Sequence, residues 1–216
     1  MGKTLKSMVL FDLDGTLWDA SREILDAWNI CFEEHNLHPI TLPQLCENLG
    51  KPLAEILLNL FPEESAETRS TLLPICSDFE LEYLRKTPGK PFPGVQETLM
   101  ELQRLYDLRF GIVSNCQKNY IEIFLDSCGF PELFSDRECS GNTGLSKGGN
   151  ILLVKNRCHA DKCVFVGDAQ TDADGALEAG VPFVHAAYGF GHVTYSDISI
   201  RSFPELLTAV PRLLGL

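Results

Sequence analysis

The chain has 216 residues, of which 44% are hydrophobic, and its 18 basic and 30 acidic residues give a formal net charge of −12. This composition is typical of a soluble protein with one full core and room for an accessory domain, and it excludes a disordered or fibrous chain. The negative charge repels nucleic acids and anionic membranes, so neither is expected as a partner. Apolar runs such as "MVLF" are too short to cross a bilayer, and no signal-peptide pattern is seen, so a cytoplasmic location is expected.

The first predicted element is a buried strand at residues 8–12. It runs directly into two carboxylates, Asp12 and Asp14, which Gly15 and Thr16 follow at once. Unpaired carboxylates beside a core are costly, because burial and mutual repulsion both oppose their ionisation. We therefore expect a cation to bind at the end of this strand.

Residues 19–90 are predicted to form a helical insert, because apolar residues recur there at helical spacing with no strand-like run between them. The insert ends in "PGKPFPGV" (88–95), a proline- and glycine-rich hinge. Trp18 and Trp28 are expected to pack within it. Its four predicted helical segments are 20–37, 42–50, 52–61 and 73–87.

Beyond the hinge, buried strands alternate with amphipathic helices, which is typical of a parallel sheet covered on both faces. Gly129 and Gly180 stand where a glycine often ends a helix. The sequence therefore predicts an α/β fold with a core of residues 1–18 and 91–216. The predicted strands are 108–114, 162–168 and 181–187, and the predicted helices are 94–106, 118–129 and 171–180.

Polar residues follow the predicted core strands, at the edge of a parallel sheet where ligands usually bind. Mg²⁺ prefers carboxylate and carbonyl oxygens and is commonly shared with a substrate phosphate. A hydroxyl, the backbone N–H groups at a helix N-terminus and a lysine ammonium suit the phosphate itself. The sequence therefore predicts a magnesium site beside a phosphate site. The residues concerned are Asp12, Asp14, Ser114, Asn115, Asp168, Asp172 and, at a predicted helix start, Lys147.

Four segments, taken together, resemble the motifs of the haloacid dehalogenase superfamily and of its phosphoglycolate-phosphatase-like branch in particular. They are "DLDGTL" (12–17), Ser114 after "FGIV", Lys147, and "GDAQTD" (167–172). The order of all four motifs makes the resemblance specific, and the helical insert resembles a cap placed after the first motif. One departure is that Gly148 and Gly149 follow Lys147, where many members have a proline soon after the lysine. Lys155 and Lys162 therefore stay as alternatives for the third motif.

The resemblance implies a Rossmann-like core and a Mg²⁺-dependent phosphatase that acts on small phosphate monoesters through an aspartyl-phosphate. It implies that Asp12 is the nucleophile and that Asp14 is the general acid and base. The implied metal ligands are Asp12, the backbone carbonyl of Asp14, and Asp168. The implied phosphate ligands are Ser114, Asn115 and Lys147. The implied supporting residues are Gly15, which permits the turn, Thr16, which orients Asp14, Gly167 of the fourth motif, and Asp172, which positions a metal-bound water or Lys147.

Other functions on the same scaffold stay open at this point. A dehalogenase or a phosphonatase would be expected to lack the carboxylate of Asp14, whereas a β-phosphoglucomutase-like phosphotransferase keeps both aspartates. A non-catalytic binding protein or phospho-acceptor domain is a further alternative, although a cap is superfluous to that role. The expected partner is a small phosphorylated metabolite, and the expected assembly is a monomer or a homodimer.

Overall fold

A computed structural model describes residues 6–130 and 132–216, so the first five residues of the predicted core segment lie outside the described residues. The strands are β1 (Ser7–Phe11), β2 (Trp18–Asp19), β3 (Lys90–Pro91), β4 (Leu108–Ser114), β5 (Phe134–Cys139), β6 (Lys162–Gly167), β7 (Phe183–Ala186) and β8 (Ile198–Ile200). The α-helices are α1 (Ser21–Glu34), α2 (Leu42–Cys46), α3 (Leu53–Leu60), α4 (Ala66–Lys86), α5 (Val95–Leu105), α6 (Tyr120–Cys128), α7 (Ser140–Thr143), α8 (Lys147–Arg157), α9 (Gln170–Ala179) and α10 (Leu206–Leu214).

Six strands form one parallel sheet in the order β5-β4-β1-β6-β7-β8. All of β1 is buried, because helices cover both faces of the sheet and a central strand there needs apolar residues on both sides. Phe11, the last residue of β1, pairs with Ile112 of β4 and Val166 of β6. The residues that follow β1, β4 and β6 therefore meet at one edge of the sheet, and the predicted α/β fold is confirmed.

Successive residues of β1 point to opposite faces of the sheet and into two separate clusters. Val9 and Phe11 pack with α5, α6, α10 and the cap helices, whereas Met8 and Leu10 pack with α8 and α9. The ring of Phe11 contacts the rings of Phe110, Phe134 and Phe203, at centroid distances of 5.9, 6.3 and 5.8 Å. The two apolar layers fix the sheet edge that carries the polar residues.

The four sequence-predicted core strands and their helices are present, and Gly129 and Gly180 end α6 and α9 in left-handed conformations as expected. The sequence prediction omitted β5 and β8. β5 is an edge strand that pairs with β4 alone, and its sequence "FSDREC" alternates exposed and buried residues rather than forming an apolar run. β8 is the opposite edge and has only three residues.

The segment 19–90, which the sequence predicts to be a cap, contains helices α1 to α4. The predicted start of the last cap helix at residue 73 is wrong, because α4 already begins at Ala66. Its first turns are polar and largely exposed, so they carry no apolar periodicity, and Pro74 lies inside the helix. The real start is marked by Ser65, whose Oγ accepts a hydrogen bond from the backbone N–H of Thr68 at 3.0 Å.

The chain enters and leaves the cap through a short antiparallel ribbon formed by β2 and β3. Trp18 pairs with Pro91 and Asp19 pairs with Lys90, which places the ribbon at the predicted domain boundaries. The two chain segments that connect cap and core therefore lie side by side, as is expected of a hinge.

The two tryptophans pack in different parts of the molecule. Trp28 contacts Phe32 within the cap, as expected, at a centroid distance of 6.0 Å. The ring of Trp18 meets Tyr120 and Phe124 of α6 edge-on, at 5.7 and 5.4 Å. Trp18 belongs to a buried cluster that includes residues of both cap and core, so it packs on the core as well. In the two described ranges, no helix combines the length and apolarity needed to cross a bilayer.

Candidate active site

Three buried carboxylates meet beyond the carboxyl ends of β1 and β6. Asp12, Asp168 and Asp172 each place an oxygen within 4.8 Å of the others, and each is at most 2% exposed. Burial, with repulsion from Asp172, raises the pKa of Asp12 well above its usual range, although Lys147 opposes this shift. Asp12 Oδ2 is buried and has no hydrogen-bond partner among the described residues. An unpartnered carboxylate oxygen inside a cluster of like charge calls for a cation.

Lys147 lies inside this cluster, at the first residue of α8. Its Nζ is 2.5 Å from Asp12 Oδ1 and 2.8 Å from Asp172 Oδ1. Burial alone would lower the pKa of Lys147, but the two carboxylates raise it above its ordinary value, so the ammonium stays charged. Of the alternatives, Lys162 donates to the carbonyl of Leu214, and Lys155 lies two turns further along α8. Lys147 is therefore the lysine that the fold brings to the site.

Close packing of two helices explains why a glycine follows Lys147. A Cβ at Gly148 would lie 2.5 Å from Glu178 Oε2 on α9, and a Cβ at Gly175 of α9 would lie 2.6 Å from Cγ of Lys147. Helices α8 and α9 thus approach one another closely at two glycines, and this contact directs the lysine toward Asp12. Lys147 thus reaches Asp12 even though it is followed by Gly148 and not, as in many family members, by a nearby proline.

Asp172 is held on both of its oxygens. Its Oδ2 accepts the backbone N–H groups of Asp168 and Ala169, at 3.1 and 3.0 Å, at the start of α9. Its Oδ1 faces Lys147. A Cβ at Gly167 would lie 2.5 Å from the Asp172 side chain, so only glycine leaves room for it. Asp172 therefore positions Lys147 and the backbone around Asp168.

Asp168 is held by a loop that the sequence prediction missed. Its Oδ2 accepts the backbone N–H groups of Phe190 and Gly191, at 2.8 and 3.0 Å. Among the described residues, its Oδ1 accepts one long hydrogen bond, from the Thr16 hydroxyl at 3.4 Å. Thr16 therefore contacts Asp168 and not Asp14, which it was expected to orient. Burial and Asp172 raise the pKa of Asp168 to about 7. The glycine-rich "YGFGH" (188–192) after the fourth predicted strand was the available signal for this loop.

Asp14 is held by two aromatic side chains. Tyr120 donates its hydroxyl to Asp14 Oδ1 at 2.7 Å, and Trp18 donates Nε1 to the same oxygen at 3.0 Å. Burial raises the pKa of Asp14 to about 6, although these two hydrogen bonds partly oppose the shift. Gly15, at φ +80°, permits the turn, since a Cβ there would lie 2.4 Å from Asp168 Oδ2. Tyr120 is a further site residue that the sequence prediction missed.

Ser114 and Asn115 complete the edge after β4. Ser114 is buried, and its Oγ accepts the backbone N–H of Cys116 at 3.3 Å. Asn115 donates Nδ2 to the carbonyl of Gly50, in the cap, at 2.8 Å, and its Oδ1 accepts from Ser140. The Asn115 amide thus joins core and cap, which the sequence prediction did not foresee.

A second hydrogen bond reaches the same cap carbonyl, from Thr171 Oγ1 of α9 at 3.0 Å. A narrow cavity of about 30 Å³ lies between cap and core, and Asp12, Asp14 and Ser114 line it. The cap contributes apolar side chains such as Ile24 and Leu53, together with Lys51 and Glu80. The site is therefore a small chamber whose lining combines acidic, polar and apolar side chains.

Comparison with known proteins decides the family. The model of the haloacid dehalogenase-like hydrolases matches residues 9–186. This protein belongs to that family. It is similar to a phosphoglycolate phosphatase of Xanthomonas campestris, with 32% identity over 84% of this chain and 83% of the relative. A phosphoglycolate phosphatase of Xylella fastidiosa is 28% identical over 99% of this chain and 93% of the relative.

Among solved structures, a haloacid dehalogenase-like hydrolase from Bacteroides fragilis superposes with a TM-score of 0.84 at 26% identity. The match covers 93% of this chain and 99% of that one, so cap and core are both included. The predicted superfamily, its phosphoglycolate-phosphatase-like branch and the enzyme class are confirmed.

Proposed function

We propose that this hydrolase is a Mg²⁺-dependent phosphatase of small phosphate monoesters that acts through an aspartyl-phosphate on Asp12. The observation that carries the proposal is the pairing of an unpartnered buried oxygen, Asp12 Oδ2, with Lys147 on the other oxygen of the same carboxylate. One carboxylate is thus placed beside both a metal position and a cation that can bind a phosphate oxygen.

The donor set fits Mg²⁺. Asp12 Oδ2 has no partner among the described residues and Asp168 Oδ1 has only one long hydrogen bond, so these two oxygens are available as ligands. The backbone carbonyl of Asp14 is the proposed third ligand. Asp172 is close enough to bind the same ion, but its two oxygens already contact Lys147 and two backbone N–H groups. Mg²⁺ is commonly bound by one or two carboxylates with substrate phosphate and water completing the octahedron.

When bound, Mg²⁺ neutralises charge on Asp12, Asp168 and the phosphoryl group, so that two anions can approach each other. An oxygen of Asp12 attacks phosphorus and the bond from phosphorus to the leaving oxygen breaks. Lys147 and the backbone N–H groups after Ser114 stabilise the negative charge on the transferring group. The products of this step are the aspartyl-phosphate and the leaving alcohol.

Asp14 moves the proton in both steps. In the first it donates a proton to the leaving oxygen, and in the second it accepts a proton from the water that attacks phosphorus and frees Asp12. A pKa of about 6 suits a group that must hold a proton in one step and release it in the other near neutral pH. Tyr120 and Trp18 both bond to Oδ1, which leaves Oδ2 to carry the proton.

The relatives support phosphoglycolate as the first substrate to examine. The narrow chamber between cap and core suits a small metabolite rather than a protein or a nucleic acid. The cytoplasmic location and the choice between monomer and homodimer stay predictions.

The proposal is tested by phosphate release from a panel of small phosphate monoesters, with Mg²⁺ and with EDTA. We expect release that EDTA abolishes and Mg²⁺ restores, and poor replacement by Ca²⁺, which prefers more ligands at longer distances. Mg²⁺ should also raise the midpoint of thermal unfolding of the unmodified chain but not of Asp168→Asn, because binding to the native state stabilises it. Full activity without metal would overturn the proposal. Conversion of β-glucose 1-phosphate to glucose 6-phosphate with no phosphate release would replace it by the phosphotransferase.

A further inference from the structure

The lining of the chamber contains a buried carboxyl group that the phosphatase chemistry does not use. Glu80 of α4 is 4% exposed, lines the cavity, and accepts a hydrogen bond from Trp28 Nε1 at 2.8 Å. The titratable groups that act on it are Asp14, Tyr120 and Cys76. Burial favours the neutral acid, whose O–H can donate a hydrogen bond, although the N–H donors of Trp28 and Gln117 oppose this.

A second polar group of the lining, which faces Glu80, is incompletely hydrogen-bonded. Gln117, in the loop after β4, lines the cavity beside Glu80. Its Nε2 is buried and has no hydrogen-bond partner of normal geometry in the described part of the chain. A buried amide N–H without an acceptor is costly, so a ligand that supplies an oxygen there would gain affinity.

The same chamber contains a positive charge that is held by neutral oxygens. Lys51 Nζ donates to Asn48 Oδ1 at 3.0 Å and to the carbonyl of Glu47 at 3.3 Å, and no ion pair of Lys51 occurs within residues 6–130 and 132–216. The lining of the chamber therefore includes a carboxyl group, an amide N–H and an ammonium. The ammonium adds a positive charge to a chamber that is otherwise acidic, which favours an anionic ligand.

We propose that Glu80 and Gln117 determine specificity by binding a carboxylate at the end of the leaving group remote from the phosphate. Glu80 donates its proton in a hydrogen bond to one carboxylate oxygen, and Gln117 Nε2 donates to the same group. Hydrogen bonds to a charged acceptor are about twice as strong as neutral ones, which gives the pair its discriminating power. The inference rests on the proposed phosphatase, since it assumes that the phosphate occupies the end of the chamber with Asp12. Burial raises the pKa of Glu80 to about 8, in keeping with a proton donor at neutral pH.

Three phosphate monoesters of nearly equal size test the proposal. Phosphoglycolate ends in a carboxylate, ethyl phosphate ends in a methyl group and phosphoethanolamine ends in an ammonium. Their affinities are measured by titration calorimetry with Mg²⁺ on a catalytically silenced Asp12→Asn chain, so that binding is scored independently of turnover. Release of phosphate from phosphoglycolate and from ethyl phosphate by the unmodified chain is measured separately and tests the phosphatase itself.

We expect Glu80→Leu and Gln117→Leu each to weaken phosphoglycolate binding by about 10- to 100-fold while changing ethyl phosphate by less than about threefold. Glu80→Gln should restore phosphoglycolate to within a few-fold, because the amide keeps the shape and the donor. Glu138→Gln is the matched control: Glu138 is a buried carboxylate that pairs with Arg157 outside the cavity, and the change should leave all three affinities as they were.

The outcomes are distinct. Equal losses for the three ligands in Glu80→Leu would assign Glu80 to cap stability alone and overturn the proposal. Loss of phosphoethanolamine binding in Glu80→Gln, with phosphoglycolate unaffected by either variant, would mean that an ionised Glu80 binds a cation. If the variants discriminate as expected but the unmodified chain releases phosphate from neither phosphoglycolate nor ethyl phosphate, the phosphatase proposal fails and the recognition of carboxylate stands.

Discussion

At the scale of single residues, the four aspartates of the candidate site differ in the partners that hold them. Asp12 keeps one oxygen without a partner, Asp168 is held by a loop, Asp172 is occupied on both sides, and Asp14 is bonded by two aromatic residues. Sequence alone placed all four at the same sheet edge. It could not assign the partners, because Tyr120 and Phe190 reach the site from elements distant in the chain.

Asp14→Asn separates the general acid from the nucleophile. An alkoxide leaves poorly without a proton whereas a nitrophenolate leaves readily, so kcat/KM should fall by about 10²- to 10⁴-fold for ethyl phosphate and far less for p-nitrophenyl phosphate. Because kcat for the activated ester also reports hydrolysis of the aspartyl-phosphate, the comparison uses kcat/KM. Equal losses with both substrates would assign Asp14 to the organisation of the metal site.

Tyr120→Phe removes one hydrogen bond to Asp14 and keeps the ring that packs on Trp18. We expect kcat/KM for ethyl phosphate to fall by about fivefold or more, and that for p-nitrophenyl phosphate to change less, because a loosened Asp14 protonates the leaving oxygen poorly. Tyr195→Phe is the control, since Tyr195 is exposed and bonds to Asp197. A uniform loss with both substrates would show that Tyr120 acts on the fold and not on Asp14.

Glu80 also predicts a pH dependence of stability. Burial raises its pKa from 4.5 in the unfolded chain to about 8 in the folded one, so the folded state retains a proton that the unfolded state releases. The free energy of unfolding should therefore fall as pH rises from about 4.5 to about 8, and this fall should be smaller in Glu80→Gln. Urea unfolding at the two ends of that range measures the difference. Parallel pH profiles of the two chains would contradict a neutral Glu80.

At the scale of elements, the contact between cap and core depends on the loop after α2. Asn115 and Thr171 of the core both donate to the carbonyl of Gly50, and Gly50 itself has φ +86°. Asn115 belongs to the motif expected to bind phosphate, and Thr171 belongs to the fourth motif. The structure thus connects the position of the cap to residues of the candidate site.

Thr171→Val removes one of these two bonds at nearly constant volume. A hydrogen bond contributes on the order of 1 kcal/mol, so opening of the cap loop should become about fivefold more frequent. Hydrogen exchange of the amides of residues 48–52 measures this opening, with Thr194→Val as the control, since Thr194 bonds to Gln170 within the core. Unchanged exchange in Thr171→Val would show that the bond does not hold the loop.

At the scale of the whole molecule, the sequence was sufficient for the α/β fold and for placing the candidate residues at one edge of the sheet, but not for their hydrogen-bond partners. Buried central strands such as β1 are predictable, because both faces demand apolar residues. Edge strands β5 and β8 were missed, because one exposed face removes that demand. The register of β4, β1 and β6 explains why Ser114, Asp12 and Asp168 were predicted together, whereas Glu80 depends on how the cap packs on the core, which has no local signal.

The central claim is that Asp12 takes up the phosphoryl group from the substrate. The most direct measurement is mass spectrometry of peptides after acid quench of the Asp14→Asn chain with p-nitrophenyl phosphate and Mg²⁺, since loss of the base slows breakdown of the aspartyl-phosphate. We predict a mass increase of one phosphoryl group on the peptide that contains Asp12, which is absent with EDTA and absent in the Asp12→Asn chain. Phosphate release at an undiminished rate by Asp12→Asn, or a phosphoryl group on any other residue, would contradict the account.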